Sequence, residues 1–165
     1  MSSDTLTTLA TLVGSRLMAR GMMLATAESC TGGWVAQAAT AIAGSSQWFE
    51  RGFVTYSDAA KQEMLGVSAR TLATRGAVSE ETAREMAMGA LARSRAQMAV
   101  AITGIAGPTG GSPEKPVGTV CFAWGMQGSP VSSVTHQFHG DRESVRRQSL
   151  IVALQGVLER LDVGI

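Results

Sequence analysis

The chain has 165 residues, 45% of them hydrophobic and 16% charged, enough to bury a sizeable core and too apolar for a disordered polymer. Fourteen Lys and Arg against thirteen Asp and Glu leave a formal charge of +1, which excludes the basic surface of a protein that grips long nucleic acid. Cys30 and Cys121 are too few for a disulfide framework or a zinc site.

The N-terminal stretch MSSDTLTTLATLVGSRL lacks the basic start and unbroken apolar run of a secretory signal. It predicts a helix from Asp4 to Arg20, with Leu6, Leu9, Val13 and Leu17 on one face and Gly21 placed to end it. Met22–Ala27 reads as a short buried strand, and the loop ESCTGG follows it. Helical spacing returns over Trp34–Ala43, then GSSQW interrupts. Arg51–Ser57 is the second strand. Asp58–Leu65 is a short helix with Ser57 or Asp58 as N-cap. A longer helix covers Val78–Ala96, opened by Ser79. Met98–Gly104 is the third strand, and the glycine-rich loop GIAGPTGGSPEKP separates it from the fourth, Val117–Trp124. Pro130–Phe138 is the fifth, joined through the turn-rich GMQGS. A final helix, Gly140–Leu161, is capped by Asp141.

No segment is long and apolar enough for a membrane span, and no repeat or linker divides the chain. The expectation is one soluble, cytoplasmic domain over residues 1–165. Alternating helices and strands predict an α/β fold of three layers, helices on both faces of a mixed, mostly parallel sheet of about five strands. In such sheets ligands bind beyond the carboxyl ends of strands. ESCTGG, YSDAAK and TGIAGPTGG all fall there and form the candidate site. The apolar, Met-containing helix Glu80–Ala92 suits a homodimer or higher homo-oligomer contact as well as the core.

ESCTGG lies where a strand gives way to a helix, so free backbone N–H groups can receive an anion or a developing oxyanion. Gly32 and Gly33 let a ligand approach the backbone closely. Ser29 and Cys30 are both chemically reasonable nucleophiles there, although Ser29 or Thr31 could equally cap the helix. His136 and His139 lie far along the chain from the three loops and read as strand or surface residues. Lys61, about a turn from Tyr56, is the more interesting base if desolvation lowers its pKa from about 10.4. Spacing alone favours a solvated lysine. The glycine-rich loop fits neither the P-loop nor the dinucleotide fingerprint, but its amides can cradle a phosphate monoester. Lys115 and Arg142 are the candidate cations, with an ordinary ion pair to Asp141 or Glu143 the simpler reading of Arg142.

AESCTGG, WFERGFVTYSDAAK, LGV, GAVSEETAREMAMGAL, AITGIAGPTGGSPEKPVGTV and GDRESVRRQ occur in this order and at these separations. Together they resemble the CinA C-terminal family over nearly the whole chain, from about Arg20 to about Gln155. The resemblance implies a CinA C-terminal-like fold and hydrolysis of the carboxamide of nicotinamide mononucleotide in pyridine-nucleotide salvage, without metal or organic cofactor. It places the family's nucleophile on Ser29 and its lysine on Lys61, with Tyr56 beside it. Glu28, Cys30, Thr31, Gly32 and Gly33 would contribute to substrate binding in the first loop. Thr103, Gly104, Ala106, Gly107, Gly111 and Lys115 would do so in the glycine-rich loop, with Arg142 of the GDR motif. The partner implied is a small nucleotide. Asp58 stands where many relatives carry Asn, a mild change. A rival reading is a nucleotide-binding regulatory module with a degenerate site; the intact Ser29, Tyr56 and Lys61 speak against it.

Overall fold

The structure, a computed structural model, describes residues 2–162, so the expected domain, 1–165, runs past them at both ends. The elements are α1 Ser2–Ala19, β1 Leu24–Glu28, α2 Trp34–Thr40, β2 Phe49–Val54, α3 Asp58–Leu65, α4 Ala69–Arg75, α5 Glu80–Ala92, β3 Met98–Gly104, β4 Thr119–Met126, β5 Ser132–Gln137 and α6 Arg142–Asp162. They form one five-stranded sheet in the order β2-β1-β3-β4-β5. β1 pairs in parallel with both β2 and β3, whereas β3–β4 and β4–β5 are antiparallel. The sheet is therefore mixed, as expected, and only β4 runs against the rest. The β3–β4 reversal was not in the sequence reading.

Alternation along β3 shows how the sheet separates its two faces. Met98, Val100 and Ile102 join the core beneath α1, α2 and α6. Ala99 and Ala101 face the other way, against α5. That second face is built from small residues, with Ala25, Ala27 and Ala123 opposing Ala83, Ala87 and Ala90. Helix α5 then lies so close to the end of α3 that a Cβ on Gly89 would sit 2.0 Å from the Leu65 carbonyl oxygen. Large side chains fill the first face instead. The Trp124 indole donates to the Ala153 carbonyl at 3.1 Å in α6, and Trp48 fills the space left by Gly14 of α1.

Helix ends follow the expected chemistry in several places. Ser57 accepts from Ala60 N, Ser79 from Thr82 N, and Asp141 from Ser144 N. Helix α4 was not foreseen; Ser68, accepting from Arg70 N and Thr71 N, opens it and Gly76 follows it. β2 begins at Phe49 rather than Arg51, and α2 stops at Thr40, short of Ala43. Helix α5 turns its buried Thr82, Ala83, Met86, Ala87, Gly89 and Ala90 inward, leaving Met88 55% exposed. No helix among the described residues is long and apolar enough to cross a membrane.

Candidate active site

Strand β1 is flanked by β2 and β3, so the chain leaves it at the carboxyl edge of the parallel part of the sheet. It turns at once: Gly32 N donates to Ser29 O at 3.0 Å, closing a tight turn over Ser29–Gly32. The Glu28 side chain, 1% exposed, fills the space at the start of α2. It accepts from the Thr31 hydroxyl at 2.6 Å and from Gly33 N at 3.2 Å, Val35 N at 2.9 Å and Ala36 N at 3.0 Å. The protein's own carboxylate thus occupies the anion site at this helix end. Of the groups expected to meet substrate in this loop, the Glu28 carboxylate, the Thr31 hydroxyl and the Gly32 and Gly33 amides are engaged within the protein. The Thr31 amide has no acceptor among the described residues, and that of Cys30 meets only its own sulfur.

Across this turn stands Lys61, carried by the first turns of α3. It is 1% exposed, not solvated, and its Nζ lies 3.0 Å from Ser29 Oγ. Two carbonyls complete its surroundings, Thr55 O at 3.0 Å and Tyr56 O at 3.3 Å. Burial holds its pKa below the usual lysine value, against the opposing pull of Asp58 and Cys30. A neutral amine has two N–H groups and one lone pair. With the N–H groups on the carbonyls, the lone pair is left for the Ser29 hydroxyl. Protonated, the same amine has three donors for the same three oxygens. The proton can therefore pass between Ser29 and Lys61 with no heavy atom moving far.

Cys30 is the alternative nucleophile, and its surroundings disfavour it. Burial pushes its thiol up to about 12, so it carries no thiolate near neutrality. Tyr56 meets Lys61 through its main-chain carbonyl. The residue is 65% exposed, and its phenol oxygen accepts from Arg142 Nη2 at 3.4 Å.

Ser29, Cys30, Tyr56 and Lys61 line a cavity of about 320 Å³ with Thr103, Gly104, Ala106, Gly107 and Arg142. Thr103 donates its hydroxyl to Ala77 O at 2.8 Å. The amides of Ala106, Gly107, Thr109 and Gly110 have no acceptor among the described residues. Arg142 donates to Gly107 O at 2.8 Å. The expected ion pair of Arg142 does not form: Asp141 caps α6 and Glu143 faces Arg147 at 3.7 Å. Arg142 is left as a cation at the cavity with no carboxylate partner among the described residues.

Two residues expected at the site from the glycine-rich loop are not brought to this cavity. Gly111 does not line this cavity; it packs against Val117. Lys115 donates to Arg75 O at 2.6 Å and lines a separate, larger cavity of about 560 Å³. That larger space is walled by the pairs Arg75–Glu81 and Arg84–Glu80 and by Cys121, whose thiol burial also pushes up. There the Glu80 carboxylate accepts from the Thr135 hydroxyl at 2.7 Å and from the Ser133 hydroxyl at 2.8 Å. Sequence reasoning missed Arg146, whose guanidinium donates to the carbonyls of Cys30 and Thr31. Its signal was present: in GDRESVRRQ it falls one helical turn after Arg142.

Residues 6–161 match the family described as CinA C-terminal domain. The chain belongs to this family. It is 57% identical over 155 residues to "Nicotinamide-nucleotide amidohydrolase PncC" of Escherichia coli (strain K12), covering 94% of each chain. A Pseudomonas putida protein of the same name is 54% identical, with 94% of this chain and 97% of that one covered. Among solved structures, "competence damage-inducible protein A (ComA)" from Klebsiella pneumoniae superposes with a TM-score of 0.93 at 42% identity, covering 97% and 99%. The mixed α/β sheet with helices on both faces is thus the CinA C-terminal fold.

Proposed function

We propose that this chain hydrolyses the carboxamide of nicotinamide mononucleotide to nicotinate mononucleotide and ammonia, through an acyl-enzyme on Ser29, in cytoplasmic pyridine-nucleotide salvage. The observation that carries the reading is the Lys61 amine, buried and 3.0 Å from the Ser29 oxygen. The name shared by the relatives at 57% and 54% identity supports the choice of substrate.

Lys61 takes the hydroxyl proton as Ser29 Oγ bonds to the carboxamide carbon. The carboxamide oxygen becomes an oxyanion, held by the Cys30 and Thr31 amides; one such donor is worth about 3 kcal/mol of barrier. Collapse breaks the C–N bond, and the Lys61 ammonium gives its proton to the departing nitrogen as ammonia. Water then attacks the ester, Lys61 receives its proton, and that proton returns to Ser29 Oγ as the carboxylate leaves. Arg142 and the amides of Thr109 and Gly110 receive the 5′-phosphate.

Ammonia release from the mononucleotide, compared with free nicotinamide and with the dinucleotide, tests this reading. Release from the mononucleotide in preference to both is expected. Thermal stabilisation by the mononucleotide with no ammonia would replace the enzyme with a binding module.

A further inference from the structure

Arg146 has no part in the chemistry above, yet it braces the peptide groups that follow the nucleophile. Its Nε donates to Cys30 O at 3.1 Å and its Nη2 to Thr31 O at 3.2 Å. No ion pair among the described residues engages it, so the guanidinium is committed to backbone. The Trp34 ring supports it, 5.5 Å from Cζ to the ring centroid. Behind it, Val145 and Ser149 are fully buried and anchor α6. Contact with the turn is close: a Cβ on Gly32 would lie 3.5 Å from Arg146 Nη2.

A trans peptide carries its carbonyl and its amide on opposite edges. Drawing Cys30 O toward the guanidinium therefore turns Thr31 N–H away from it. Ser29 O is held by Gly32 N, which in the same way turns the Cys30 amide outward. A cation behind a peptide carbonyl also polarises that peptide and strengthens its N–H as a donor. Gly32 and Gly33, both at positive φ, make this loop soft by itself, so an external brace has something to hold.

We propose that Arg146 is a positioning residue for the oxyanion site: it fixes and polarises the peptides after Ser29 so that their amides meet the charge that develops in the transition state. The inference rests on the amidase reading. It places Arg146 out of contact with the ground-state substrate, so its loss falls on kcat and not on KM.

The test uses the full chain with Arg146→Ala and Arg146→Lys, following ammonia release from nicotinamide mononucleotide across pH. For Arg146→Ala, kcat falls by about tenfold to a hundredfold, as for a small misplacement of catalytic groups. KM stays within about threefold, and the pH midpoint is unchanged because the Ser29–Lys61 pair is intact. Arg146→Lys, which keeps the cation, recovers part of the loss, and added methylguanidinium restores part of the Arg146→Ala activity. A purely structural brace would instead lower activity in step with the folded fraction seen by circular dichroism, with no rescue; that result overturns the inference. So does a kcat within twofold of wild type. If the wild-type chain releases no ammonia, the amidase reading fails first and takes this inference with it.

Discussion

Glu28 and Lys61 flank Ser29, and each is 1% exposed. The carboxylate is fully solvated by protein: four donors reach its two oxygens, three of them amides at the start of α2. The amine meets only neutral oxygens, from two carbonyls and the Ser29 hydroxyl. A buried charge that the fold solvates is inert and structural. One that the fold leaves short of a counter-charge prefers its neutral form, which is what a base at neutral pH requires.

Removing the proposed nucleophile breaks this contrast most severely. Ser29→Ala lowers kcat by at least about 10³-fold, read as ammonia release, while the mononucleotide still raises Tm. Lys61→Met follows with a loss of similar order. With Lys61 as the proposed base, wild-type activity is expected to rise with pH through a midpoint below the ordinary lysine value, and the variant to lack that limb. The same residue makes a prediction about stability. Between its lowered folded pKa and about 10.4 the unfolded chain binds the extra proton, so stability rises with pH across that window. Urea midpoints of Lys61→Met should lack that slope. Glu28→Ala leaves buried donors without an acceptor and costs about 3 kcal/mol in urea unfolding, whereas Glu28→Gln, which keeps one oxygen, costs about half as much. Arg142→Ala raises KM about tenfold with a smaller change in kcat, as expected of a phosphate contact. Cys30→Ala changes kcat by less than about threefold, and iodoacetamide leaves the wild type active.

The elements were legible where local chemistry decides them. Ser57, Ser79 and Asp141 announce their helices because a side-chain oxygen two or three residues before a free amide is a local event. Strand limits were less legible. Arg51–Ser57 was expected where the sheet pairs Phe49–Val54, because pairing with β1 sets the limits and the partner is not local. At the site, Ser29 and Lys61 could be named from their motifs and the family they resemble. The roles of Lys115 and Arg142 could not be read from spacing, since each depends on what lies opposite. Lys115 finds the Arg75 carbonyl, 40 residues away, and Arg142 finds that of Gly107, 35 away.

By itself the sequence determined the order of elements apart from α4, most of the caps, the family and the Ser–Lys pair as candidates, because these follow from short-range patterns and long shared motifs. Tertiary structure alone decided that Lys61 is dry against Ser29 and that Arg146 braces the turn after Ser29. Burial and hydrogen-bond partnership arise between segments distant in the chain, and no local spacing encodes them.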